Sequence, residues 1–314
     1  MKKLNIFLYV CLVRYKAINL ILKKFKNHNF SIILDMEDSA QDLFDYQNNL
    51  NLKIIARKGL CYLSNNNFLN KINFYVRINS QISEFYKDDI AIIQKVIKDG
   101  SPIKGIFLPK VENYDQIKNC HENLSIENKK TPLIIPMIET KKGFENLNNI
   151  LFQDIEYNLV KHVHYGHYDY CLDNSLWPFP EPYHYEYWQI VDKIFKIIDN
   201  FGKEYIHTPF PLIKNSNIYW SAIDRMYENF NRKNLNITLV NIDLNYMKYP
   251  YKIKKIKLKK ISKDVKYKIF FAKKIINEYI NNKSKNKSFS LSRKRFIPPH
   301  LYMGAKIFLK SIHE

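Results

Sequence analysis

The sequence predicts an α/β fold, a closed (β/α)8 TIM barrel followed by a basic C-terminal helical extension. Eight short apolar runs recur along residues 1–250, and amphipathic stretches separate several of them. Four of the runs end on polar or charged residues in a common register. Eight strands separated by helices is the count that closes a barrel, with an open doubly wound sheet as the alternative.

The first strand is read at Asn5–Leu12. Met1-Lys2-Lys3 ahead of Leu4–Val13 imitates a signal peptide, but Arg14 and Lys16 interrupt and no small-residue cleavage site follows. Further strands are expected at Phe30–Met36, Asn73–Ile78, Gly105–Pro109, Leu133–Ile138, His162–Tyr168, Glu204–His207 and Ile237–Ile242. Helical periodicity marks Tyr15–Lys26 (Ile18, Ile21, Leu22, Phe25), Asp88–Lys98 (Ile90, Ile93, Val96) and Tyr187–Phe201 (Trp188, Val191, Ile194, Ile198). The barrel is assigned to 1–250 and the extension, a candidate lid, to 251–314. In the extension, Lys252–Lys260 alternates Lys with Ile and Leu as an edge strand or extended segment would. Val265–Ile280 is helix-like, Asn281–Ser290 is a polar linker, and Pro298-Pro299 opens a last helix through Ile312.

Composition narrows the function. With 7 Gly in 314 residues, Gly-rich phosphate loops are nearly excluded, and neither GxGxxG nor GxxxxGK[ST] occurs. Cys11, Cys61, Cys120 and Cys171 form no zinc pattern and read as reduced thiols in a cytoplasmic protein. No apolar run reaches membrane-spanning length. The net charge of +20 is uneven: residues 251–314 hold 19 Lys/Arg against Asp264, Glu278 and Glu314, a net of +16. Such a tail would hold phosphates, lie on an anionic surface, or simply be solvated.

The chemistry gathers at strand ends. Glu139 closes the run 133–138 and Asp169 closes 162–168. Two carboxylates at the C-terminal ends of neighbouring parallel strands suit a hard divalent cation. Strand two ends Leu34-Asp35-Met36-Glu37-Asp38, and strand three carries Arg77, a two-pronged donor for a substrate carboxylate.

These segments resemble a family. Leu34–Asp38, Val76-Arg77-Ile78-Asn79, Gly105–Glu112, Ile135–Thr140 with Gly143, and Tyr165–Asp169 match in order the signature segments of the HpcH/HpaI aldolase/citrate lyase superfamily. Phe296–Leu301 with Gly304-Ala305 resembles the start of the C-terminal helix in its citrate-lyase β-subunit-like branch. Asp38 stands where pyruvate aldolases of the other branch carry His. The resemblance implies an oligomeric barrel, trimeric or hexameric, that cleaves or forms C–C bonds next to a carbonyl. It implies Mg2+ (or Mn2+) on Glu139 and Asp169, Arg77 on the substrate's oxygens, and Glu37 and Asp38 ordering water and neighbouring groups. The substrate would be a small hydroxy or keto acid or its CoA thioester. A metal offsets the enolate charge of such a cleavage, and metal-bound water or a strand-two carboxylate would take the hydroxyl proton. Three segments depart from the family pattern. Leu8–Cys11, with Arg14 nearby as a candidate substrate contact, replaces a Phe-x-Pro-Gly loop. Ser292–Arg295 lacks the usual lid acid, and Asn236–Leu244 lacks the strand-eight His. The alternative is a non-catalytic or diverged barrel binding nucleic acid or a membrane surface through its basic C-terminus; the tail carries no aromatic-interleaved RNA motif.

Among the remaining residues, strand alternation counted back from Asp169 places His167 on its side, and His162 and His164 toward the helices. His207 ends strand seven and is a candidate substrate contact. The aromatic run Trp177–Trp188 reads as a packed loop. Lys110 and Glu112 would pair with each other or flank the pocket.

Overall fold

The computed structural model describes residues 2–24, 28, 30–66, 73–211, 215–240, 243–247, 250, 252–282, 290–291 and 296–312. Eight strands close a barrel in chain order: β1 (Lys3–Cys11), β2 (Phe30–Asp35), β3 (Phe74–Arg77), β4 (Ile103–Leu108), β5 (Leu133–Ile138), β6 (His162–Tyr165), β7 (Glu204–His207) and β8 (Asn234–Leu239). Every neighbouring pair is parallel, including β1 with β8. The helices are α1 (Ile18–Lys24), α2 (Tyr46–Asn65), α3 (Tyr86–Lys98), α4 (Tyr114–Leu124), α5 (Lys141–Glu145), α6 (Leu147–Tyr157), α7 (His167–Asp173), α8 (Tyr185–Asn200) and α9 (Ser216–Asn229). The extension adds α10 (Val265–Asn282), a short antiparallel pair β9 (Ser290–Leu291) and β10 (Phe296–Ile297), and α11 (Pro299–Ser311).

Local chemistry sets the helix starts. Asp45 caps α2 by accepting from the Asn48 amide, and Asn113 and Gln116 form a capping box on α4. Pro299 opens α11, where its missing N–H costs no helical bond. The strands alternate between two apolar layers. Phe7, Ile33, Phe107, Ile135, Met137 and Ile206 fill the barrel with Tyr9 and Tyr75, while the opposite faces pack under the helices.

The expected strand His162–Tyr168 is shorter. It stops at Tyr165, and Asp169 lies in the first turn of α7. This reverses the alternation. His164 points into the barrel against the rings of Tyr9 and Phe107. His167 packs outward, its ring nitrogens at Tyr165 Oη (2.9 Å) and Pro180 O (2.7 Å). The eighth strand begins three residues earlier than expected, and 241–242 lie outside the described residues, as do 283–289 of the polar linker and 292–295. Segment 252–260 is extended rather than a strand. It touches the barrel through a parallel bridge from Lys259 to His184, with all six lysines exposed.

Candidate active site

Asp35 and Arg77 are register partners at the ends of β2 and β3. Arg77 grips Asp35 with two bonds, Nε to Oδ1 at 2.7 Å and Nη2 to Oδ2 at 2.6 Å. Its Nη1 reaches Asp38 Oδ2 at 2.9 Å and Glu37 Oε2 at 3.1 Å. The guanidinium also lies 4.8 Å from the Tyr9 ring centroid. Burial would lift the Asp35 pKa, but the charge and bonds of Arg77 outweigh it and hold it below the ordinary range. The loop after β2 folds back on Asp35, whose carboxylate accepts from the Glu37 and Ser39 amides, both at 3.0 Å.

A buried lysine from α2 supports this loop. Lys53 Nζ donates to the Met36 and Glu37 carbonyls (2.8 Å each) and to Asn79 Oδ1 (2.7 Å). Asn79 is fixed in turn by Asp89, which Arg57 holds at 2.9 Å.

Across the mouth, Glu139 follows β5. Its Oε1 accepts from the Lys110 amide at 3.0 Å. Lys110 takes a left-handed conformation (φ 54°) there, the kind of backbone strain that gathers at functional sites. Gly166, after β6, makes room: a Cβ there would lie 2.6 Å from Glu139 Cβ and closer still to Oε2. Asp169 Oδ1 is 3.4 Å from Lys110 Nζ, and its Oδ2 is 3.1 Å from His300 Nε2. His300 Nε2 also lies 3.7 Å from Asp38 Oδ1.

The electrostatics divide these acids. Burial, then Asp169 and Glu37, push Glu139 well above its ordinary pKa. Burial and Asp38 push Glu37 to about 8 against Arg77 and Lys110. Asp169 is held low, because His300 and Lys110 outweigh its burial. His300 is raised to about 9; burial opposes this, and Asp169 and Asp38 prevail. Asp35, Asp38, Glu139 and Asp169 face a cavity of about 320 Å³ whose other wall includes Tyr9, Met137, His164, Val240, Phe296 and Pro298.

The mouth thus gathers Glu37, Asp38, Arg77, Glu139 and Asp169 from four separate stretches of chain. Two expected contacts are elsewhere. Arg14 is exposed on a 3-10 turn (Leu12–Ala17) and does not line the cavity. His207 faces the helices because its neighbour Ile206 faces the barrel. Its two ring nitrogens sit at the hydroxyls of Tyr187 (2.8 Å) and Tyr205 (2.9 Å). Burial drives its pKa to about 3, so it stays neutral. Lys110, expected to pair with Glu112 or flank the pocket, stands at the mouth beside Asp169, and three site residues had no role from the sequence: Asp35, Lys53 and His300. Asp35 and His300 stand inside matched segments, whereas nothing around Lys53 sets it apart from other helix lysines. Glu112 pairs with Lys142 at 3.1 Å rather than with Lys110.

The model of the HpcH/HpaI aldolase/citrate lyase family matches residues 17–197. The chain belongs to this family. Comparison with functionally curated proteins finds no match. Among solved structures, the malate synthase of Haloferax volcanii, in a pyruvate/acetyl-CoA ternary complex, is 12% identical with a TM-score of 0.68. That alignment covers 98% of this chain and 92% of that one. The CitE protein of Mycobacterium tuberculosis, in complex with magnesium and pyruvate, is 15% identical over 77% of this chain and 86% of that one, with a TM-score of 0.53. RipC from Yersinia pestis is 14% identical over 77% and 91% of the two chains, with a TM-score of 0.52. At these identities the likeness speaks for the fold.

Proposed function

We propose that this member of the HpcH/HpaI family is a divalent-metal-dependent carbon–carbon lyase or aldolase. It would cleave or form a bond next to a carbonyl in a small hydroxy or keto acid or its CoA thioester. The observation that carries this is the convergence of Asp38, Glu139 and Asp169 on one cavity, with Glu37 bound to Arg77 beside it and with Glu37 and Glu139 pushed up by burial and like charge. Charge buried this way is stabilised by a cation, and carboxylate oxygens suit Mg2+ or Mn2+. Glu139 and Asp169 would hold the ion, which when bound stabilises the negative charge developing on the substrate oxygens.

The protein's own groups do the rest. Arg77, oriented by Asp35, presents its remaining Nη2 hydrogen to a substrate carboxylate. Glu37, with its pKa at about 8, is suited to exchange the hydroxyl proton near neutral pH. Lys53 keeps the Glu37 backbone in place. The extension, residues 251–314, completes the wall with Phe296, Pro298 and His300.

The related structures hold magnesium with pyruvate, or pyruvate with acetyl-CoA, so 2-oxo acids, hydroxy acids and their CoA thioesters are the compounds to screen. The expected result is Mg2+-dependent release of pyruvate, glyoxylate, oxaloacetate or acetyl-CoA, absent in Glu139→Gln and Asp169→Asn proteins that retain their circular dichroism. Turnover that survives in either variant, or in excess chelator, overturns the proposal.

The exposed lysines of 252–260 favour a second reading, an anionic macromolecular partner. Binding to a polyanion should then weaken steeply with salt.

A further inference from the structure

We propose that His300 is a nitrogen ligand of the metal, alongside Asp38 and Asp169, and that it makes the site prefer a borderline transition ion such as Mn2+, Co2+ or Zn2+ to Mg2+. The proposal rests on the metal-dependent reading above and specifies the ion.

Ligand spacing is the first support. Donor atoms about 2.1 Å from one ion stand about 3 Å apart when adjacent and about 4.2 Å apart when opposite. His300 Nε2 lies 3.1 Å from Asp169 Oδ2 and 3.7 Å from Asp38 Oδ1. One donor atom from each of the three residues falls within 4.8 Å of the others. The three donors are therefore close enough to share a single ion once the His300–Asp169 ion pair gives up its proton to solvent.

The second support is how the ring is delivered. Pro298 and Pro299 fix the start of α11, which packs on α7, the helix carrying Asp169. One turn further on, Gly304 lies against Phe179, where a Cβ would come within 2.8 Å of the ring. Phe308 stacks on Trp177 with centroids 6.0 Å apart. These contacts hold α11 close and aim the His300 ring into the mouth. Nδ1 has no partner among the described residues, so the polar contacts of the ring are all on the Nε2 side.

The third support is donor chemistry. Mg2+ takes oxygen ligands and keeps several waters, whereas imidazole suits the later divalent ions. An imidazole added to the carboxylates therefore shifts selectivity away from Mg2+.

The test uses the full-length, metal-stripped protein. Titration calorimetry gives the affinities for Mg2+, Mn2+ and Zn2+. Pulsed electron paramagnetic resonance of the Mn2+ complex reads any directly bonded nitrogen. Wild type should favour Mn2+ over Mg2+ and show nitrogen coupling. His300→Ala and His300→Gln should lose the coupling and cut that preference about 10-fold or more. The wild-type spectrum needs no variant, so misfolding of either does not blunt the test. Metal binding with no nitrogen coupling, or an unchanged preference in both variants, overturns this proposal and leaves metal-dependent chemistry standing. Unaltered binding of every ion in Asp169→Asn overturns the metal reading itself, and this one with it.

Discussion

The two ends of this barrel use the same residue types to opposite effect. At the base, Glu204 accepts from Asn236 at 3.0 Å and faces His162 Nε2 at 3.2 Å, while Asn236 accepts from Asn5 at 2.8 Å. Lys161 adds a distant cation at 3.7 Å. His162 and these partners pull the half-exposed Glu204 down to about 2. At the mouth, Glu139 and Glu37 are buried beside other acids and are pushed up. An acid that its neighbours satisfy contributes to the fold. Acids that repel one another in a buried cavity are retained at a cost to the fold, and that cost is the mark of a working site.

The largest effect expected is on chemistry. Asp169→Asn or Glu139→Gln should lower turnover by about 1,000-fold or more. Glu139→Gln should melt at or above the wild-type temperature because repulsion is relieved, whereas Asp169→Asn should melt lower because His300 and Lys110 lose the carboxylate they pair with. A clear loss of stability in Glu139→Gln would break the contrast. Next comes Arg77→Met, which leaves Asp35 buried and unpaired and should cost about 3–5 kcal/mol in urea unfolding. Lys53→Met strands two carbonyls and Asn79 and should cost about 1–3 kcal/mol. Activity should fall along with it.

The smallest effect belongs to the base. Glu204→Gln should cost under about 1 kcal/mol, since the side chain is 46% exposed and screened by solvent, and turnover should not change. The folded pKa of Glu204 lies below the ordinary 4.5, so its stabilisation is present above that pH and is lost as pH falls toward about 2. The stability gap between wild type and Glu204→Gln should shrink across that window.

Much of the mouth was legible because charged residues at the ends of apolar runs announce themselves. Strands β5 and β7 match their expected bounds. What failed did so for local reasons. Strand six was read through to Asp169, but the chain turns at Gly166 and enters α7, so counting alternation backward inverted His164, while His167 does border the cavity with Asp169. Helix α2 escaped notice because its buried face includes Lys53, Ala56, Gly59 and Ser64, which leave a weak apolar stripe. His300 was visible in a matched segment, yet its place beside Asp169 depends on α11 folding back over α7, which sequence spacing does not encode.

Because His300 comes after the whole barrel in the chain, the order of synthesis matters. Glu37, Glu139 and Asp169 all belong to the chain that precedes β8. The His300 imidazole and the wall formed by Phe296 and Pro298 come after it. Completing the mouth therefore waits on a segment synthesised after every barrel strand, and on the packing of α11 against α7.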